Sequence, residues 1–352
     1  MKRFKSIVLA ALAVFLVAGS IPAPSASAQS SSLSIAPRKD YVIESGKSVD
    51  DKLTIRNIDK VHDLQLYLRV VDFTYSDDSG TPKLLLDADA EPTPWSLQNF
   101  IKMPTTATVP AGESVSLDIK VKVPSEVGAG GYYSAIVYST SAPSGGNVGL
   151  AASGVTLAFV NVPGEVKEDL KLQKFGAYDT QTKKYSYFNV KEPLTMGYTL
   201  LNNGNIFESP VGTITLKSMF GQTYNIKNIN PNKSLALIGQ ERTFNACIKL
   251  ASQKVDFQGS KTDATTCVSP GLWPGLYTAS IDLFYGQNGN LTKEITKTIH
   301  FWYLPLWFII LASIIILAAA FYIWRFVVWA RGGSFKLGGR PRGPRSSRRH
   351  RR

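Results

Sequence analysis

Ser114-Val115-Ser116-Leu117-Asp118-Ile119-Lys120-Val121-Lys122-Val123 alternates polar and apolar residues without a break. A period of two puts Val115, Leu117, Ile119, Val121 and Val123 on one face and the hydroxyls and charges on the other, the pattern of a half-buried strand. It returns at Leu64, Leu66, Leu68 and Val70, and at Ala279, Ile281, Leu283 and Tyr285. Turn-forming clusters separate such runs: Glu44-Ser45-Gly46, Asp77-Asp78-Ser79-Gly80, Pro110-Ala111-Gly112, Asn202-Asn203-Gly204-Asn205 and Gln287-Asn288-Gly289-Asn290. The Asn-Gly centre of the last supplies the positive φ a hairpin turn demands. Short strands with turns every ~8–12 residues predict all-β sandwiches.

The two ends of the chain read differently. From Leu306 to Tyr322 the chain is an apolar run without an ionisable residue, long enough to cross a bilayer as a helix, and a membrane helix is expected over 303–324. Trp302, Tyr303 and Trp307 on one side, with Tyr322 and Trp324 on the other, are placed as interfacial belts. Arg325 opens a tail, 325–352, with ten Lys/Arg and no acid. Positive charge stays cytoplasmic, so the expected topology is a single pass in the cytoplasmic membrane, with the body outside and the tail inside. Gly, Pro and Ser in the tail predict disorder, resting on anionic lipid, with nucleic acid as the alternative partner. At the other end, Lys2, Arg3 and Lys5 precede a short apolar core, Ile7–Ala18, and Ala26-Ser27-Ala28 offers a small-residue cleavage site. A signal peptide over 1–28 is expected, cut beyond Ala26 and Ala28; an uncleaved helix is the alternative.

The net charge of +13 comes entirely from these ends: three charges lie in the signal and ten in the tail, leaving the body formally neutral. A neutral body offers no basic footprint for DNA or RNA. Cys247 and Cys267 both fall in the exported part, where a disulfide is expected, contributing about 3 kcal/mol by loop closure; two free thiols are the alternative.

The body divides into two sandwiches, 29–163 and 164–302, at Val162-Pro163-Gly164. Ser141–Gly149 is read as a hairpin loop joining two strands, or else as the linker itself. Chemistry is scarce. Of three histidines, His350 lies in the tail, His300 abuts the membrane run and His62 lies apart from both in a turn, so neither a zinc site nor a Ser-His-Asp system is supported. The acidic run Asp72 to Glu91, with Asp77, Asp78, Asp87 and Asp89, lacks Ca²⁺-loop spacing. No catalytic residue, metal or cofactor is expected, and no ligand-binding residue can be singled out.

Several segments resemble the N-terminal domain of bacterial cell-surface WxL-interacting proteins: Ser34-Ile35-Ala36-Pro37, Gly46–Arg56, Ala111-Gly112-Glu113 with its alternating strand, Val123-Pro124-Ser125, and Gly130-Gly131-Tyr132-Tyr133-Ser134-Ala135-Ile136-Val137. The second half is similar to that family's partner domain at Asn202–Asn205, Gly212-Thr213-Ile214 and Gly275–Ala279, with Cys247–Cys267 as an insertion. The resemblance implies two tandem immunoglobulin-like β-sandwiches followed by one transmembrane helix, with peptidoglycan binding by the first domain and binding of partner surface proteins by the second. The expected function is therefore non-catalytic binding at a sheet face or strand edge. The alternatives are a chaperone or scaffold for exported subunits, a wall-active hydrolase and a plain spacer.

Overall fold

A computed structural model describes residues 33–87, 91–140, 152–257, 260–286 and 291–331. Two compact units emerge. One holds the described chain up to Thr74 with Pro82–Val166; the other holds Tyr75–Thr81 and the chain from Lys167.

The first unit is a sandwich of β1 (Leu33–Ile35), β2 (Arg38–Val42), β3 (Ser48–Asn57), β4 (Leu64–Val71), β7 (Ile101–Lys102), β8 (Thr106–Val109), β9 (Ser114–Lys122), β10 (Gly130–Ser139) and β11 (Ala152–Val162); β5 (Phe73–Tyr75) and β6 (Pro82–Leu84) form a separate ribbon. One sheet runs β1-β3-β9-β7, the other β2-β11-β10-β4-β8. The opening alternation holds: Ile119 and Val121 are buried and their polar neighbours exposed. This is the immunoglobulin arrangement, with the first strand shared between the two sheets. β1 pairs antiparallel with β3, the chain steps across at Ala36-Pro37, and β2 then pairs parallel with β11. Proline suits that step, because it cannot continue a ladder through its nitrogen. The strands flanking Ser141–Gly149 pair as a hairpin, while that loop itself lies outside the described residues.

The second unit repeats the plan with β12 (Leu170–Asp179), β13 (Lys184–Ser186), β14 (Phe188–Asn189), β15 (Thr195–Asn202), β16 (Val211–Ser218), β17 (Thr223–Lys227), β18 (Glu241–Cys247), β21 (Gly275–Tyr285) and β22 (Lys293–Tyr303); β19 (Leu250–Phe257) and β20 (Ser260–Cys267) form a side hairpin. Its sheets run β13-β12-β15-β18 and β14-β22-β21-β16-β17. Tyr198, Leu200, Ile214, Leu216, Tyr277, Ile281 and Phe301 close its core. Tyr75–Thr81 belongs here because it lies along β18: Thr243 N–H donates to the Asp78 carbonyl (2.5 Å) and the Tyr75 hydroxyl to the Leu235 carbonyl (2.8 Å). The Asp77–Gly80 turn is thus held by strand contacts.

After β22, Leu304 and Pro305 lead into helix α1, Leu306–Ala330, the one described helix long and apolar enough to cross a membrane. It continues six residues past Trp324, carrying Arg325 within it, because neither glycine nor proline interrupts the chain before Gly332.

Candidate functional site

In the second unit the crossing of the first strand takes a longer route. β12 stays with β15 along its length, turns back through β13, and reaches the other sheet only as β14. β14 then meets β22 at two positions, Phe188 opposite Trp302 and Asn189 opposite Tyr303. β22 pairs with β21 over all eleven residues on its other side. Among the described residues, therefore, no strand covers β22 from Lys293 to Phe301.

The direction of the free groups follows from strand parity. Trp302 N–H donates to the Tyr187 carbonyl and Leu304 N–H to the Asn189 carbonyl, both 2.8 Å, so even-numbered residues face away from β21. Glu294, Thr296, Thr298 and His300 therefore present their N–H and C=O groups outward, alternating with residues bonded to β21. Such a row is a template for another strand.

A groove of about 550 Å³ runs beside this row, between β22 and β12. Leu170, Leu172, Phe175, Ile295 and Ile299 make its apolar floor, and Tyr187 closes one end through its hydroxyl, which donates to the Phe175 carbonyl (3.3 Å). Lys171, Lys174 and Lys297 line its mouth. Lys297 occupies the inward register of β22, between Ile295 and Ile299, where an ordinary sandwich strand carries an apolar residue. An inward-pointing lysine is a device that keeps an open edge from pairing indiscriminately. An extended segment with alternate apolar side chains would fill the groove, and acidic residues flanking them would meet the lysines.

The other sequence candidates fall elsewhere. Cys247 and Cys267 are joined, with Cα atoms 5.2 Å apart, and tie the base of the β19–β20 hairpin to the end of β18. Trp302 is exposed beside α1 and Trp307 lies in its first turn; Tyr322, Trp324 and Arg325 are exposed along its second half. Tyr303 differs from its expected place in the interfacial belt. It ends β22 with its ring in the core, because Phe301 and Tyr303 share the inward face and Trp302 takes the outward one. Ala26, Ala28, Asp89 and 332–352 lie outside the described residues. His62 sits in an exposed turn with Nδ1 3.0 Å from the Asp59 carboxylate.

Within the acidic run, Asp72, Asp77 and Asp78 make structural contacts. Asp72 is buried and accepts from Thr93 N–H, Thr93 Oγ1, Ser96 Oγ and Ser134 Oγ, all within 2.9 Å. Lys183 Nζ, 2.8 Å away, holds the Asp77 carboxyl below its usual range. A second buried carboxyl, Glu208, escaped the sequence reading. Its one described hydrogen bond is from Gly286 N–H (3.2 Å), and burial, reinforced by the Glu168 charge, pushes it up to about 8.

No protein-family model and no curated protein matches the chain. Solved structures to which it is similar include the class 5 fimbriae chaperone CfaA, at 13% identity over 78% of this chain and 100% of that one, TM-score 0.34. The E. coli chaperone DraB aligns at 14% identity over 76% and 98%, TM-score 0.31. The Pseudomonas aeruginosa chaperone CupB2 aligns at 7% identity over 74% and 96%, TM-score 0.27.

Proposed function

We propose that this is a non-catalytic, membrane-anchored surface protein that holds an extended segment of an exported partner against the open edge of β22. The uncovered row from Glu294 to His300, backed by an apolar groove, is the observation that supports this reading. The body lies outside the cytoplasmic membrane and the basic tail inside, with α1 between them. Twelve residues separate Lys293 from Leu306, so the bound segment lies within about 45 Å of the bilayer. That short tether suits a receptor or scaffold that retains its client, rather than a shuttle that leaves with it. The first sandwich keeps the role implied by the family resemblance, contact with wall polymer.

A photo-crosslinking side chain at Thr296 or Thr298 of the full chain, in its own cell envelope, tests the edge. We expect repeated capture of one exported protein through a contiguous stretch of alternating apolar residues, and none from a probe at Thr215 on β16, an interior strand of the same sheet. Equal capture from Thr215 would remove the edge reading. Sedimentation of the same protein with insoluble peptidoglycan tests the first sandwich, and failure to co-sediment saturably would sink the wall-binding part alone.

A further inference from the structure

The end of the second sandwich from which β22 leaves differs from the opposite end. Phe188, Met219, Phe220, Trp273 and Trp302 are all 42–67% exposed. Register gathers them: Phe188 lies beside Trp302, Gly275 pairs opposite Tyr303, and the Met219-Phe220 turn caps Gly275. At Gly275 (φ +153°), a backbone conformation that favours glycine, the Met219 Sδ and the Phe220 ring pack 3.1 Å and 3.4 Å from where a Cβ would lie. Trp273 sits in the loop entering β21, where its carbonyl accepts from the Tyr277 hydroxyl. Exposed Lys191, Lys217 and Lys249 flank the same rim, and the Glu192 carboxylate, which accepts from Ser269 Oγ and Leu272 N–H, lies among them. The far end instead carries Asn205, Asn232, Lys233 and Lys293, with Leu291 as an exposed apolar residue.

Large apolar side chains left in water in one place mark a surface that is covered in use. The chain itself indicates the cover. Only Leu304 and Pro305 separate β22 from α1, a leash of at most about 11 Å, so this rim lies where the chain enters the bilayer. Tryptophan, phenylalanine and methionine flanked by three lysines to one acid match the interfacial zone of an anionic bilayer, where rings sit at headgroup depth and lysines meet lipid phosphates.

We propose that the rim formed by Phe188, Met219, Phe220, Trp273 and Trp302 is seated in the headgroup layer of an anionic bilayer, making the second sandwich a membrane-docked body rather than one swinging on a tether. The proposal rests on α1 being the anchor. It gives the rim a role separate from the groove, by fixing how the β22 edge is held above the lipid.

The test uses the full chain in phosphatidylcholine/phosphatidylglycerol vesicles, with its native disulfide oxidised. A nitroxide is placed in turn by Phe220→Cys, Trp273→Cys, Asn232→Cys at the far end and Leu317→Cys in α1. Collision with lipid-soluble oxygen is compared with collision with a water-soluble nickel chelate. We expect 317 to report hydrocarbon, 220 and 273 to report headgroup depth with a severalfold higher oxygen-to-nickel ratio than 232, and 232 to report water. If 317 reports hydrocarbon while 220 and 273 match 232, the docking proposal is overturned and the anchor stands. If 317 reports water, anchor and docking fall together. Loss of access to both reagents at 220 and 273 would mean that protein covers the rim, and would overturn the proposal as well.

Discussion

The two sandwiches share the order of their five-stranded sheets and differ in how far the first strand covers the last. In the first unit β2 lies against β11 over five positions, Leu157 to Asn161. Leu33 and Ile35 close over Gly154, where a Cβ would come within 2.7 Å of Ile35, and Arg38 stacks 4.9 Å from the Phe159 ring. In the second unit β14 covers two positions of β22 and leaves the rest as a grooved edge. The crossing point accounts for the difference. A step of one proline spends the first strand mostly on the last strand, whereas a hairpin spends it on its own sheet. Whether an immunoglobulin-like sandwich is sealed or receptive is thus decided by a few residues near its start.

Proline substitution breaks the comparison most sharply. Leu157 N–H donates to the Pro37 carbonyl (2.9 Å), so Leu157→Pro removes a bond of the covered edge and is expected to cost about 3 kcal/mol or more in chemical denaturation of the purified protein. Thr298→Pro removes an N–H that faces outward, and should cost about 1 kcal/mol or less while abolishing partner capture. Equal losses at the two sites would mean that the β22 edge is covered after all.

The buried carboxyls extend the contrast. Asp72 in the first unit has four donors, and Asp72→Asn, which turns an amide toward hydroxyls and an N–H, should cost about 2–3 kcal/mol. Glu208 in the second unit is raised, so the folded state holds a proton that the unfolded chain releases near pH 4.5. Its contribution is full below that pH and is lost as pH rises through about 8. Melting of the second unit should therefore fall between pH 5 and 9, and Glu208→Gln should flatten the profile and raise stability at the alkaline end. An unchanged slope in the variant would remove Glu208 as the cause. The disulfide acts on the same unit: Cys247→Ser with Cys267→Ser should lower its stability by up to about 3 kcal/mol and leave the first unit's transition in place.

Strand identity was legible because alternation is local, and Ser114–Lys122 turns inward the residues its spacing marks. The open edge was not, because coverage depends on which distant strand arrives, and nothing in Phe188-Asn189 says that pairing stops after two residues. The burial of Asp72 is not legible either, since the Thr93, Ser96 and Ser134 hydroxyls that donate to it come from other segments. Tyr303 was assigned to the membrane belt from its nearness to Leu306. Its place two residues after the buried Phe301 on β22 turns it inward instead.

The smallest expected effect bears on the one edge feature written into the sequence, Lys297 within Ile295-Thr296-Lys297-Thr298-Ile299. If this lysine guards the edge, removing it should change association and not folding. Lys297→Val in the body 29–304 is expected to shift stability by no more than about 0.5 kcal/mol, as for an exposed position, because the groove leaves room for the new side chain. The same change completes an apolar row with a free ladder beside it, a surface that pairs with any extended chain, including its own copy. Sedimentation velocity should therefore show concentration-dependent dimers for Lys297→Val and none for Lys52→Val, which replaces an exposed lysine on β3, an interior strand. If both variants stay monomeric at high concentration, Lys297 is an ordinary surface lysine, and the selectivity of the edge must come from Lys171 and Lys174 across the groove.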